Sequence, residues 1–302
     1  MTNIDPFLVS GMSGDERVHV FRRVFDVQGA FDGLEVDAYI VTTERYIVML
    51  DTMLFPDDAA AMMQQVVISR MERSVLGVNS HADWDHAWGN AYFSGTNAAP
   101  IIAHDHCRER LLSEEARQEL DEFRQINASF QQVRLVAPTI TFSESLTIDG
   151  GDLTIELLTA PGHHLDEIVA WIPELRLLLA FDAVEYPLPS VDGAQGVPLM
   201  FATLERLIAL EPRRVLCSHG KTTDPQLIQT NLAYLREIER RCNVYLGDET
   251  RPLQQVDTPP SQLIAFPFDE VIAGHDGEFD RTFYSQAHEE NIDAVLRWIK
   301  DL

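Results

Sequence analysis

The chain has 302 residues, 45% of them hydrophobic, which is enough apolar material for one large core or two smaller ones and places it among globular proteins. Its 48 acidic residues against 23 basic ones give a net charge of −25, which repels phosphate backbones and anionic bilayers and argues against nucleic-acid and membrane-surface roles. Cys107, Cys217 and Cys242 are odd in number, far apart and without a CxxC, so neither a disulfide framework nor a thiolate zinc site is expected.

The first residues, MTNIDPFLVSGMSGDERVHV, hold neither a basic n-region nor an apolar h-region, and no stretch approaches about eighteen uninterrupted apolar residues; a soluble, cytoplasmic protein is expected. From Val18 to Asp51, VHVFRRVF, LEVDAYIV and RYIVMLDT read as a meander of three strands with Gly and Asp clusters between them. Pro56 to Met71 carries a proline and acids in its first turn and reads as a helix, which leads into a buried strand, SVLGVNS. The segment NSHADWDHAWGN follows at that strand's C-terminal end, a usual place for a site in a layered α/β protein.

Residues 99–103, APIIA, predict another strand, and Ser113 to Gln132 a helix with Glu114 and Glu115 in its first turn. Thr139 to Asp182 gives a second meander of four strands: TITFSESLTI, GDLTIELLTAPGHH, EIVAWIP and LRLLLAFDAV. A helix from about Pro198 to Leu210 and a strand, RRVLCSHG, complete two halves, each of strands followed by helix. Asp224-Pro225 open a helix to about Arg241, residues 252–267 are irregular, and FDRTFYSQAHEENIDAVLRWIKDL closes the chain as an amphipathic helix. With no low-complexity linker, the expectation is a single domain over 1–302, with its core at about 18–220 and a C-terminal helical extension at about 221–302.

Four potential metal ligands, His81, Asp83, Asp85 and His86, fall within six consecutive positions. Metals that activate water need several deprotonated imidazoles and carboxylates converging on one point. In an extended segment His81, Asp83 and Asp85 share a face, and His86 joins them only if the loop bends. Three later candidates each follow a predicted strand: His163 in TAPGHH, Asp182 in LLLAFDAV and His219 in RVLCSHG. Gly162 and Gly220 beside the histidines permit the tight turns that aim a side chain back across a sheet edge.

This ordered set resembles the metallo-β-lactamase-fold superfamily, whose pattern is HxHxDH, then Gly-His, then an Asp after a strand, then His-Gly. The resemblance runs from about Leu34 to Gly220 and includes Asp51 and the Gly150-Gly151 turn. It implies an α/β, four-layered αββα sandwich with two metals at the strand ends. Carried over residue by residue, His81, Asp83 and His163 would hold one metal, Asp85, His86 and His219 the other, and Asp182 would bridge both beside a shared water or hydroxide. Two divalent ions, zinc first among them, would keep that water ionised and polarise the carbonyl whose carbon it attacks. Asp85 would orient the nucleophile or accept a proton, and Tyr186, just after the bridging aspartate, is a candidate donor to a developing oxyanion.

The chain departs from the family at Asp83, where most members have histidine. Two divalent cations against Asp83, Asp85, Asp182 and one hydroxide leave a neutral core, where a histidine leaves one positive charge. The extra carboxylate also favours harder ions, so iron and manganese compete with zinc. Flavodiiron proteins of the same superfamily carry a carboxylate there too, but they add a flavodoxin-like domain for which the roughly eighty residues after Gly220 are too few. Two smaller departures are Phe181 before the bridging aspartate, where glycine is frequent, and CSHG in place of PGHG.

Other residues read as structural or supporting. His164 is expected beside the site rather than as a ligand, and His104 and His106 at a strand-to-helix junction away from it. Trp84 and Trp88 suit either the cleft or loop packing, and Glu185 and Pro187 either the pocket or the core. Tyr284, His288 and Asn291 share a helix face, for which ordinary docking is the expected role. The function expected is a dinuclear metal-dependent hydrolase of a small-molecule ester, thioester, lactone or amide, the alternative being a non-haem di-iron redox enzyme. β-Lactams are disfavoured by the lack of an export signal, and homo-oligomerisation stays open.

Overall fold

β-Branched and aromatic side chains crowd the first strands, β1 (Phe7–Leu8), β2 (Val18–Val27), β3 (Phe31–Thr42) and β4 (Tyr46–Leu50), and suit them to a pleated, buried surface. They form an antiparallel meander in a computed structural model that describes residues 5–66, 73–247 and 258–301. Arg22 and Asp37 stand opposite each other on β2 and β3 in a two-pronged ion pair, both contacts at 2.8 Å, which fixes their register.

The chain divides into two compact units, Met1–Thr159 with Asp166–Leu179, and Ala160–Leu165 with Ala180–Leu302. In the first unit the meander continues through α1 (Pro56–Val66), β5 (Ser74–Val78), α2 (Trp84–Ala87), β6 (Ile101–His104), α3 (Asp105–Leu112), α4 (Glu114–Ile126) and β7 (Ile140–Phe142). Strands β4 to β7 run parallel, so the seven-stranded sheet has the order β1-β2-β3-β4-β5-β6-β7. Phe21, Phe25, Ile40 and Met49 on one face of it pack with Met62 and Met63 of α1, Leu120 of α4 and Phe130 into a dry core. A second sheet in this unit runs β8 (Ser145–Asp149), β9 (Thr154–Thr159), β10 (Ile168–Ile172) and β11 (Leu177–Phe181), all antiparallel.

In the second unit, β11 ends and α5 (Gly193–Ala209), β12 (Arg214–Cys217), α6 (Gln226–Gly247), α7 (Pro260–Leu263), α8 (Phe268–Val271) and α9 (Arg281–Lys300) follow. Helices α5, α6 and α9 pack against one another. Asp280 caps α9, its carboxylate accepting the N–H groups of Thr282 and Phe283 at 2.8 and 3.0 Å. Among the described residues no helix is long and apolar enough to cross a membrane.

The expected strand TITFSESLTI is two strands, β7 and β8, which belong to different sheets and break at Ser143-Glu144. The helix expected to Gln132 stops at Ile126, because the Asn127 side chain takes the Ser129 N–H and starts a tighter turn over Ala128–Gln132. Helix α5 begins five residues before Pro198, through a glycine-rich start that helix propensity disfavours. The end of the helix expected to Met71 and residues 252–257 of the irregular stretch lie outside the described residues.

All three cysteines are buried, and burial pushes the Cys242 thiol up to about 12 and that of Cys107 well above its usual value. The native protein is therefore expected to show no thiol reactive with a disulfide reagent at about pH 8, and three after denaturation. Rapid reaction of the native protein would contradict this burial.

Candidate metal centre

The parallel pairing of β4 with β5 sets Asp51 beside Ser80 at one sheet edge, with the Asp51 N–H on the Val78 carbonyl at 2.8 Å. The Asp51 carboxylate accepts the Ser80 N–H (2.7 Å), the Ser80 hydroxyl (2.8 Å) and the Nδ1–H of His86 (2.9 Å). A second buried carboxylate, Glu167 just before β10, stands 3.0 Å from Nδ1 of His81. Ser80 Oγ also lies 2.9 Å from Nδ1 of His81, so each ring has its Nδ1 edge against polar partners and its Nε2 edge turned the other way. There the Nε2 of His81 lies 3.5 Å from Asp83 Oδ2 and that of His86 3.5 Å from Asp85 Oδ2, with ring centroids 4.1 Å apart.

The loop bends as His86 requires. Residues 84–87 form one helical turn, and Asp83 stays extended before it, its carbonyl taking the N–H groups of His86 and Ala87 at 3.1 and 2.9 Å. The two tryptophans fasten that turn: Trp84 stacks on Phe31 with centroids 4.4 Å apart, and Trp88 is fully buried edge-on to Phe123 and Phe130. Asn79 and Asn90, the first and last residues of the segment, exchange amide hydrogen bonds of 2.9 and 2.8 Å.

Asp83 also shares a cation with Asp166. Arg110 of α3 reaches Asp83 Oδ1 at 2.5 Å and Asp166 Oδ1 at 2.6 Å, and Asp166 Oδ2 takes the Ala82 N–H at 2.8 Å. Arg110 is thus shared between two carboxylates, Asp83 and Asp166, so it screens Asp83 without cancelling the charge that this residue adds. Burial disfavours a charged His81, yet Glu167 and Asp83 hold its pKa well above the usual imidazole value, so the cluster favours positive charge at that edge.

In the second unit Asp182 follows β11 and His219 follows β12, held side by side by the Ser218 N–H on the Phe181 carbonyl at 3.2 Å. Asp182 Oδ2 lies between two imidazoles, 3.7 Å from Nε2 of His163 and 3.5 Å from Nε2 of His219. Gly162 has φ +149°, and a Cβ there would lie 2.6 Å from the Met200 Cα, so the turn that aims His163 admits only glycine. Phe181, where glycine is frequent in the family, has φ +49° and is fully buried, so its packing offsets a strained backbone that glycine would adopt freely.

Glu185 is buried behind His163, its Oε1 3.8 Å from Nδ1, and burial followed by the charge of Asp182 raises its pKa. His164 faces Asp192 at 3.6 Å. The Tyr186 hydroxyl oxygen accepts the Gly277 N–H at 2.9 Å, and its ring packs on His275 and Phe279. His104 caps α3 by accepting the His106 N–H at 3.1 Å, and His106 pairs with Glu109. Glu167, Asp166 and Arg110 were not among the sequence candidates; the one signal for the first two was a pair of acids, DE, abutting the wholly apolar IVAWI.

Imidazole nitrogens and carboxylates of this kind are donors that suit a divalent transition metal. A mixed α/β fold with two sheets and such donors at its strand ends defines a metal-binding protein of hydrolase type. The family model of the metallo-β-lactamase superfamily matches residues 31–219, and the chain belongs to that superfamily, whose fold normally binds divalent metals, often zinc.

Solved structures agree on the fold. The chain is similar to a metallo-β-lactamase family protein from Thermus thermophilus, with 15% identity, 94% of this chain and 93% of that one covered, and a TM-score of 0.63. A metallo-β-lactamase from Pontibacter korlensis gives 15% identity, 76% and 98% coverage and a TM-score of 0.59. A mono-zinc metallo-β-lactamase from Pseudomonas aeruginosa gives 15%, 77% and 96%, and 0.59. A curated relative, the linear primary-alkylsulfatase of Pseudomonas sp. (strain ATCC 19151), is 27% identical over 135 residues, which are 43% of this chain. The matched part is 25% of that enzyme's length.

Proposed function

We propose that the chain is a dinuclear metal-dependent hydrolase of a small-molecule ester, thioester, lactone or amide. The observation that supports this best is the orientation of His81 and His86, whose Nδ1 edges meet Ser80 and Glu167 in one and Asp51 in the other, so that Nε2 of each faces an aspartate of the motif. On the family pattern, His81, Asp83, Asp85, His86, His163, Asp182 and His219 would be the residues that hold the metals. When bound, two divalent ions supply Lewis acidity and activate water for attack. Asp83 would enter that set through Oδ2, because Oδ1 is tied to Arg110. Asp85, in the helical turn beside His86, would orient the nucleophile and take up a proton. Zinc is the proposed metal, as it often is for this fold, with iron and manganese the competitors that the carboxylate of Asp83 favours. Substrates are proposed to be small molecules, and the alkylsulfatase relative adds sulfate esters to the classes worth testing.

The test is elemental analysis of protein purified without chelator from medium holding zinc, iron and manganese, followed by panels of carboxylic esters, thioesters, lactones, amides and sulfate esters. The expected result is two ions per chain, chiefly zinc, and hydrolysis that a chelator abolishes and zinc restores. Two irons per chain with no hydrolysis would replace this reading with the di-iron redox one, and a chain that takes up no metal would overturn both.

A further inference from the structure

The family match ends at residue 219, yet helix α9, far beyond it, carries three buried polar side chains on one face: Tyr284, His288 and Asn291. An apolar face would dock such a helix at lower cost, since a buried polar group destabilises unless it is hydrogen-bonded. Here each one is satisfied. His288 joins the Tyr234 hydroxyl (2.9 Å) to the Phe266 carbonyl (2.8 Å). The other two bond the segment that follows Asp182. The Tyr284 hydroxyl donates to Glu185 Oε2 at 3.0 Å, while Asn291 donates to the Pro189 carbonyl at 2.7 Å and accepts the Val191 N–H at 3.0 Å.

Asn231 of α6 grips the same segment, taking the Glu185 N–H and donating to the Glu185 carbonyl, both at 3.0 Å. Glu185 Oε1 then accepts the Ser190 N–H at 3.0 Å, so its carboxylate spans the loop from within. What this braced loop presents to His163 is the Ser190 carbonyl, 3.4 Å from Nδ1, and Glu185 Oε1, 3.8 Å from it. Both are acceptors, and an acceptor at Nδ1 keeps Nε2 as the donor edge toward Asp182. The loop and α9 also wall a cavity of about 920 Å³ whose lining includes His163, Asp192, Asp293 and Arg297.

We propose that Tyr284 and Asn291 are positioning residues for the metal ligand His163: through Glu185 and residues 189–191 they hold the acceptors that orient its ring. The inference rests on the proposed role of His163 and extends it to a helix outside the matched family segment.

The test is zinc competition against a chromophoric chelator, with cobalt-substituted absorption spectra, on full-length wild type, Tyr284→Phe and Glu185→Gln. Tyr284→Phe removes one hydroxyl and keeps the ring; Glu185→Gln keeps the size and carries the test alone if the first variant does not fold. The expected result is that one of two zinc ions binds about 10–100-fold more weakly, with a changed cobalt spectrum and a metal-free melting temperature within a few degrees of wild type. Variants that melt lower but bind both ions with wild-type affinity and spectrum would show that the network only docks α9, and would overturn the inference alone. Wild type that binds no metal would overturn the proposed function and this inference with it.

Discussion

Alanine in place of Asp51 is expected to cost about 3–5 kcal/mol of stability, because it removes one buried charged partner from a network built around it. Metal binding through His86 is expected to weaken about 10–100-fold in addition. Asp51 is 1% exposed and sits at φ +66°, a conformation that aspartate tolerates better than most residues. The kink sends its carboxylate into three donors: the Ser80 N–H, the Ser80 hydroxyl and Nδ1 of His86. Alanine takes the acceptor from all three at once, and each desolvated donor left short of an acceptor costs about 1–3 kcal/mol. Asp51→Asn separates the two effects. It keeps an oxygen for the Ser80 N–H but turns an NH2 group toward Ser80 Oγ and His86, so it is expected to lose less stability and as much metal affinity. Urea melts of the metal-free proteins and zinc competition check this, and an alanine variant with wild-type midpoint and affinity would refute it.

The ligand-type residues of the motif were legible in the sequence, and the partners packed against them were not. His81, Asp83, Asp85, His86, His163, Asp182 and His219 stand out because each is a ligand-type residue next to a strand end, and their order led to the α/β fold of the metallo-β-lactamase type that the family match and the solved structures show. Asp51 was visible only as a family position. Glu167 and Arg110 were hidden because their significance lies in pairings with residues 86 and 27 positions away, which no local periodicity encodes. The reading of Asp83 lacked this context: the sequence showed its carboxylate but not the Arg110 that it shares with Asp166. Local chemistry also overrode pattern at Ser143-Glu144, where one apolar run serves two sheets, and at Asn127, whose side chain ends a helix that propensity would continue. In the C-terminal helix the shared face of Tyr284, His288 and Asn291 was read correctly as a face, but spacing alone did not show that its bonds run to Glu185 and the loop beyond.

Gly89, inside the motif segment, is expected to be among the least replaceable residues of the chain, although it has no side chain and touches no ligand. A Cβ built on it lies 2.1 Å from the Thr52 carbonyl oxygen and 2.9 Å from the Thr52 carbonyl carbon, both backbone atoms that cannot rotate away. The close approach is useful: the Gly89 N–H reaches the Met53 carbonyl at 2.9 Å, and the Thr52 N–H reaches the His86 carbonyl at 2.8 Å. Two hydrogen bonds therefore lock the helical turn that carries Asp85 and His86 onto the kinked residues 51–53, the same residues that place the Asp51 carboxylate. Gly89→Ala must push these backbones apart, and overpacking against main chain falls at or above the upper end of the usual range, about 3 kcal/mol or more. Because the strain falls between Asp51 and His86, metal affinity is expected to drop with stability. Gly247→Ala is the control: nothing lies within 4 Å of its Cβ position, and alanine at a helix end is expected to change stability by no more than about 1 kcal/mol. Thermal melts of the two variants with and without zinc decide the matter. Equal, small shifts in both would mean that the backbones yield and that the motif's glycine is dispensable; a large loss confined to Gly89→Ala would make close backbone contact as much a part of the site as its imidazoles.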